Sequence, residues 1–304
     1  MNWANGPVTV RTPATSANLG PGFDSLGLAL SLHDEVTVEV TGGGLAIEVE
    51  GEGAEVADRG ERHLIVKVLR QAFDLLGGGQ PPGLALRCAN RIPHSRGLGS
   101  SSAAIVAGIV AARHLHPEGH RLDDARALEL ATEIEGHPDN VAPCLAGGLT
   151  VAWTTPDGPR LVRLESQVKQ VTAFVPDQRL ATERARGLLP ATVPHADAAA
   201  NAGRAALLIA ALTTGVPDVL LDATEDRLHQ DYRAPAMPES AALVARLRAG
   251  GVPAVISGAG PTVLAFTSAS QVDSIGARVG NGWHVHPLDV APHGAHVPSD
   301  GLRP

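Results

Sequence analysis

A chain of 304 residues with 44% apolar and 18% charged residues can form two domains with a sizeable core, which excludes an intrinsically disordered protein. Its formal charge of −8 and 3% aromatic content argue against nucleic acid as a partner, because that needs a basic surface or rings for stacking. Two cysteines, Cys88 and Cys144, are too few for a secreted disulfide framework or a four-thiolate zinc site. No basic segment followed by an apolar stretch opens the chain, and the longest apolar run, 103–112, is about half a membrane span. A cytoplasmic protein without a membrane partner is expected.

In chain order, Val8–Arg11 reads as a short strand. His33–Gly53 alternates apolar and polar residues on both sides of Gly42-Gly43-Gly44, the pattern of a hairpin. Glu61–Leu76 carries Leu64, Val68, Phe73 and Leu76 on a helical stripe stopped by three glycines. Leu84–Ala89 is a strand, a Gly-rich loop follows, and 103–112 is a buried helix. Asp123–Glu135 is a helix and Gly148–Trp153 a strand. Val168–Val175 is a strand, His195–Thr213 and Pro238–Ala249 are helices, and Val255-Ile256 and Val263–Phe266 are paired short strands. The tail from Pro287 is rich in Pro, Gly and His and is expected to fray. The class is α+β, with a boundary near residue 160, where TTPDGPR supplies turn residues.

Four stretches carry residues suited to chemistry. RGLGSSSAA (96–104) places Gly97 and Gly99 where a ligand can approach the backbone. Ser100, Ser101 and Ser102 then open a helix whose free N–H groups and dipole attract an anion. Serine capping of an ordinary helix is the plain alternative. The loop lacks the Gly-Lys-Ser/Thr of a Walker loop, and a serine stands where a dinucleotide fingerprint needs its third glycine. TPATSANLGPGFDSLGLAL (12–30) holds two side chains able to reach an amine or hydroxyl, Asn18 and Asp24; read plainly, it is a turn-rich loop in which Asp24 caps a following helix. EGHPDNVAPCLAGG (135–148) gathers Glu135, His137, Asp139 and Asn140. Its carboxylates suit Mg²⁺, which prefers hard oxygen ligands; otherwise it is a loop closing a helix, with Pro138 as the stop and Asp139 as a local cap. SGAGPT (257–262) is a Gly-rich turn between strands. Arg186 and Arg233 stand out because a guanidinium matches two carboxylate oxygens.

PHSRGLGSSSAA resembles the central phosphate-binding motif of the GHMP small-molecule kinases. SGAGPT is similar to their third motif, and TPATSANLGPGFDSLGLAL to their first. The three occur in order between Thr12 and Thr262. Other branches open with a lysine- or arginine-bearing string such as Ala-Pro-Gly-Lys. PATSANLGPGFDSLGLAL, HPDNVAPCLAGG, ATERARGLLP and DRLHQDYR look like the homoserine kinase branch.

The resemblance implies a two-domain GHMP kinase fold. A ribosomal-S5-like α/β domain would span 1–160 and a ferredoxin-like α/β plait 161–304, with the site in the cleft between them. It implies phosphorylation of the side-chain hydroxyl of L-homoserine by ATP with Mg²⁺, in threonine biosynthesis, by a homodimer. Pro93, Arg96, Gly97, Leu98, Gly99, Ser100, Ser101, Ser102 and Gly258 would bind ATP. Ser101 and Glu135 would hold Mg²⁺, with Glu133 the alternative carboxylate. Asn18, Asp24, His137, Asn140, Arg186 and Arg233 would bind the amino acid. Several GHMP kinases carry an aspartate base where Asn140 stands. Asparagine cannot take that role, so Asn140 would serve by alignment, and Asp24 or a water would receive the proton. A mevalonate- or shikimate-type kinase and a non-catalytic metabolite sensor are the rivals. The two arginines with Asp24 favour an amino acid, and Ser101 with Glu135 favours an enzyme.

Overall fold

The computed structural model describes residues 3–267, 271 and 279–298. Strand β1 (Val8–Ala17) extends past the expected Arg11, so the first motif begins inside a strand. It pairs antiparallel with β2 (Leu26–Thr41), and the register shifts at Pro13/Ala14, where proline has no N–H to donate. The turn between them holds Asn18, Leu19 and Asp24 at positive φ, uncommon for side-chain-bearing residues. No helix follows Asp24, so the helix-capping reading fails.

The expected hairpin around residue 43 does not form. Strand β3 (Gly44–Gly51) lies parallel to β4 (Gly83–Asn90), and β4 separates β3 from β2. Both Thr41 and Gly44 face Gly83. The two-residue link therefore passes over the end of β4. A Cβ on Gly83 would lie 2.4 Å from the Gly43 carbonyl carbon. Alternation sets a strand's buried face but not its partner, and here helix α1 (Leu64–Leu76) carries the chain back for the parallel pairing.

Helix α2 (Ser100–Leu115) is buried along nearly its whole length, consistent with its Ala, Val and Ile content. Helix α3 (Asp124–Glu135) has Asp123 as its N-cap and ends at Gly136. It is followed by α4 (Pro138–Ala146), in the stretch read as a loop. Pro138 starts this helix rather than stopping the previous one, because the first turn does not need its missing N–H. Strands β5 (Leu149–Thr155) and β6 (Gly158–Leu164) form a hairpin that completes the sheet in the order β3-β4-β2-β5-β6. The boundary expected at residue 160 falls inside β6; the chain leaves the first sheet between Leu164 and Gln170.

The second sheet contains β7 (Gln170–Pro176), β8 (Ala254–Ile256), β9 (Val263–Ala265) and β10 (Trp283–Asp289), in the order β10-β7-β9-β8. This is the strand order of an α/β plait. Helices α5 (Thr182–Arg186), α6 (His195–Thr214), α7 (Leu220–Ala223), α8 (Gln230–Arg233) and α9 (Pro238–Ala249) lie between β7 and β8 in the chain. One buried cluster joins Leu28, Leu98 and Ile105 of the first half to Leu208, Val255 and Leu264 of the second.

The tail does not fray where the sequence suggested. Pro287 and Leu288 belong to β10, and residues beyond it return to the first sheet. Ala291 donates to the Ala29 carbonyl (2.9 Å), Ala295 to that of Cys144 (2.7 Å), and Arg11 and His296 exchange backbone bonds. Backbone pairing holds this segment, and composition does not reveal it. Residues 299–304, also in that expectation, lie outside the described residues. Among the described residues, no helix is long and apolar enough to cross a membrane.

Candidate active site

The three motifs meet at the loop between β4 and α2. Thr15 donates its N–H to the Leu98 carbonyl (3.0 Å), and Thr262 donates to that of Arg96 (3.2 Å). The Ser257 hydroxyl lies 2.6 Å from the Gly97 carbonyl oxygen and 2.8 Å from the Ser16 hydroxyl. Gly99 has φ 71°, and a Cβ there would fall 1.9 Å from the Thr15 hydroxyl, so glycine is required by space as well as conformation. The loop therefore delivers the first N–H groups of a 16-residue helix to the cleft. Pro93, Leu98 and Ser102 point inward and are buried. Arg96 donates to the carbonyls of His94, Pro176 and Asp177 and lies 3.7 Å from Glu52. Its guanidinium braces the loop from the protein side.

Glu135 closes over this helix start. Its carboxylate accepts from the hydroxyls of Ser101 (2.7 Å) and Ser102 (2.9 Å). Glu133 is exposed, so Glu135 is the carboxylate that reaches the loop. Hydroxyl and carboxylate oxygens together form a donor set suited to Mg²⁺.

A cavity of about 140 Å³ extends from Gly97, Ser100, Ser101 and Glu135 to Asn18, His137, Asn140, Arg186, Arg233 and Gly258. Site residues expected from separate motifs thus share one cavity; of those expected, Pro93, Arg96, Leu98 and Ser102 do not line it, and Asp24 touches it through Arg186. Arg186 grips Asp24 with two bonds, 2.7 and 3.2 Å. Asn18 donates to the Gly258 carbonyl and accepts the Asp24 N–H, each at 2.9 Å, so its amide braces the turn. Asn140 accepts the Thr15 hydroxyl at 2.9 Å. Arg233 is 1% exposed, and among the described residues no carboxylate oxygen lies within 4.0 Å of it. Burial of an uncompensated cation is costly, and such a group is poised for an anion. Burial also pushes the pKa of Arg233 down, as does the Arg186 charge.

His137 donates from Nδ1 to the Asp139 carboxylate across 2.6 Å. Burial alone would lower its pKa, but the Asp139 bond and charge outweigh that and raise it. The protonated His137–Asp139 pair thus contributes stability that is complete below pH 6.5 and fades as pH rises through the elevated value. Asp139→Asn should return the His137 titration, followed by its ring proton in NMR, to 6.5 or below; an unchanged midpoint would mean that another group holds the proton.

A second cavity of about 370 Å³ adjoins the first through Ser95, Ser100 and Ser101. Val36, Val49, Ile65 and Ala104 make much of it apolar, and His63 presents a buried Nδ1 without a partner. It can take a flat apolar group attached to whatever anion the loop holds. The motif analysis missed this cavity because its residues are scattered over β2, β3, β4, α1 and α2 and share no spacing.

Comparison with known proteins turns this geometry into a family assignment. The GHMP kinases N terminal domain matches residues 63–148, and the GHMP kinases C terminal domain residues 199–285. A homoserine kinase of Streptomyces avermitilis is 62% identical over 292 residues, covering 95% of each chain. The chain belongs to the homoserine kinase family of GHMP kinases. The homoserine kinase of Clavibacter michiganensis is 49% identical over 298 residues, covering 95% of this chain and 93% of that one. The crystal structure of homoserine kinase from Cytophaga hutchinsonii superposes with a TM-score of 0.84 at 25% identity, covering 98% and 99% of the two chains. The structure of L. major mevalonate kinase shares the fold alone, with a TM-score of 0.69 at 17% identity, covering 96% and 98% of the two chains.

Within this GHMP kinase, two residues that the motif reading passed over, Phe23 and His229, surround the arginines. The Phe23 ring lies 5.3 Å from the Arg233 guanidinium carbon and 5.9 Å from that of Arg186. His229 stacks on Phe23 at 5.2 Å and is fully buried. Asp139, read from the sequence as a local cap, is 2% exposed and bonds to His137 instead. Phe23 and His229 lay inside the quoted motifs, but only the folded chain brings them together.

Proposed function

We propose that the chain transfers the terminal phosphoryl group of ATP to the side-chain hydroxyl of L-homoserine, giving O-phospho-L-homoserine and ADP. The observation that carries this reading is the buried Arg233 guanidinium, with no carboxylate within 4.0 Å among the described residues, in the same small cavity as the Ser101–Glu135 pair. One end suits a carboxylate and the other a polyphosphate.

In this reading the backbone of 97–102 binds the phosphates, and the 370 Å³ cavity takes the base and sugar. Arg233 receives the amino acid's carboxylate, with Arg186 beside it, and Asp24 faces its ammonium. Ser101 and Glu135 would hold Mg²⁺, which when bound neutralises phosphate charge. Asn140 orients the hydroxyl; its amide cannot accept a proton. Both Asp24 oxygens already accept from Arg186, which leaves them poorly placed to receive one. Alignment and electrostatics therefore carry the rate, as suits a loose phosphoryl-transfer transition state.

ADP release with ATP and Mg²⁺ should appear with L-homoserine and not with mevalonate, shikimate or buffer alone. Release with another acceptor would retain the kinase and overturn the pocket assignment. No release with any acceptor would overturn the enzyme reading.

A further inference from the structure

Arg233 cannot orient itself. Its stem is held by α8, a helix of only four residues, and its guanidinium lies in a cavity wall with Nε unpartnered. Its nearest polar neighbour is the His229 ring: Arg233 Nη1 lies 3.1 Å from His229 Nδ1, and the Gly258 carbonyl is more distant at 3.4 Å. Arginine has only donors, so His229 Nδ1 must accept. The other ring nitrogen, Nε2, lies 2.9 Å from the Gly20 carbonyl oxygen, which can only accept, so Nε2 must carry the proton. The two bonds together fix one state, the neutral Nε2–H tautomer. An imidazolium has no lone pair left for Arg233 and would set two buried cations side by side.

We propose that His229 is the positioning residue for the carboxylate-binding Arg233, linking it through a fixed imidazole to the Gly20 carbonyl of the first motif. This rests on the proposed reaction and names what holds its substrate arginine in place. The groups around the ring fit the role. Phe23 stacks on one face and also contacts the Arg233 guanidinium, so the three side chains form one packed unit. Asp226 Oδ2 lies 3.7 Å from Nε2 but already accepts the backbone N–H groups of His229 and Gln230, which fixes the start of α8. Burial lowers the His229 pKa; the charges of Asp226 and Asp24 oppose that shift, and Arg233 adds to it. A neutral ring at neutral pH follows. Gly20, at φ 86°, cannot carry a side chain: a Cβ would fall 2.8 Å from the Thr224 carbonyl oxygen. The carbonyl at the far end of the relay is therefore held as firmly as the ring.

The test compares L-homoserine with L-homoserinamide, which keeps the ammonium and hydroxyl but has no carboxylate. His229→Phe keeps a stacked ring and removes both hydrogen bonds. It should lower kcat/KM for homoserine at least about tenfold, within the range of coupling between hydrogen-bonded neighbours, and change that for the amide about twofold or less. His229→Asn, which places an amide oxygen near the Nδ1 position, should recover most of the discrimination. The affinity for ATP should be unchanged in both. An unaltered homoserine-to-amide ratio in His229→Phe, an equal loss of ATP affinity, or a His229→Asn variant as impaired as His229→Phe would overturn the proposal. If His229→Phe does not fold, the wild-type protein decides. A long-range proton–nitrogen spectrum should show His229 neutral with the proton on Nε2, and any other state overturns the relay. Absence of homoserine-dependent turnover in the wild type would instead count against the reaction itself.

Discussion

Arg233→Ala is expected to raise KM for homoserine about a hundredfold while leaving KM for ATP within about twofold. Truncating one partner of a buried, hydrogen-bonded charge pair costs roughly 2–5 kcal/mol, and each 1.4 kcal/mol is a factor of ten in affinity. The sign of the stability change separates this role from a structural one. In the free protein Arg233 is 1% exposed and, among the described residues, has no carboxylate within 4.0 Å. Folding must therefore desolvate its charge without an ion pair in return. Arg233→Met, which keeps the stem's packing and drops the charge, should have a Tm equal to or above the wild type while losing homoserine affinity as fully as the alanine variant. A large fall in Tm with KM unchanged would make Arg233 a scaffold residue and leave the carboxylate to Arg186. Arg186 is the weaker candidate because its fork already grips Asp24 at 2.7 and 3.2 Å.

Glu135→Gln should lower kcat about 10²–10³-fold, the typical effect of removing one preorganised electrostatic group from a transition state. It should also raise the Mg²⁺ concentration needed for half-maximal turnover, with KM for homoserine nearly unchanged. The amide keeps an oxygen for the Ser101 or Ser102 hydroxyl, so the loop geometry survives, but the negative charge beside the start of α2 is gone. That charge has two effects. It interacts favourably with the helix N-terminus by about 0.3–1 kcal/mol. It also supplies one of the hard oxygen donors that Mg²⁺ requires. Direct calorimetric titration of nucleotide in the absence of Mg²⁺ separates these effects. Removing a carboxylate from an anion site should leave metal-free nucleotide binding unchanged or tighter, whereas a collapsed loop would weaken it. Weakened metal-free binding would therefore move Glu135 from metal ligand to loop support.

Much of the site was legible because its residues are forced by local conditions. Gly97 and Gly99 must be glycine where the loop turns onto a helix, with the Ser257 carbonyl close to the first and the Thr15 side chain close to the second. Three serines at a helix start and a carboxylate later in the chain suit an anion and a hard cation, and the two other ordered motifs favoured that reading over plain serine capping. The two arginines were legible only through the resemblance of ATERARGLLP and DRLHQDYR to the family, because charge type alone does not set them apart from the chain's other arginines. Less was legible where a residue's meaning depends on a distant neighbour. His229 and Phe23 sat in recognised stretches, yet nothing in DRLHQDYR or GFDSL says that the two rings stack at 5.2 Å around a guanidinium. The larger cavity draws on five elements, β2, β3, β4, α1 and α2, and had no sequence signal as a whole.

The same division applies to the fold. Local sequence by itself determined most helices and strands and the buried length of α2, because period and capping act within a few residues. It also determined that the chain is a GHMP kinase of the homoserine kinase family, because three ordered loops each need particular residue types. Only the tertiary structure decided that β4 separates β2 from β3, that Pro138 opens a helix, and that residues 290–296 bind back to β1, β2 and α4. Those outcomes turn on which hydrogen-bonding edge or apolar face a segment meets. The residues that settle the matter are far away in the chain, so the segment's own sequence does not contain the answer.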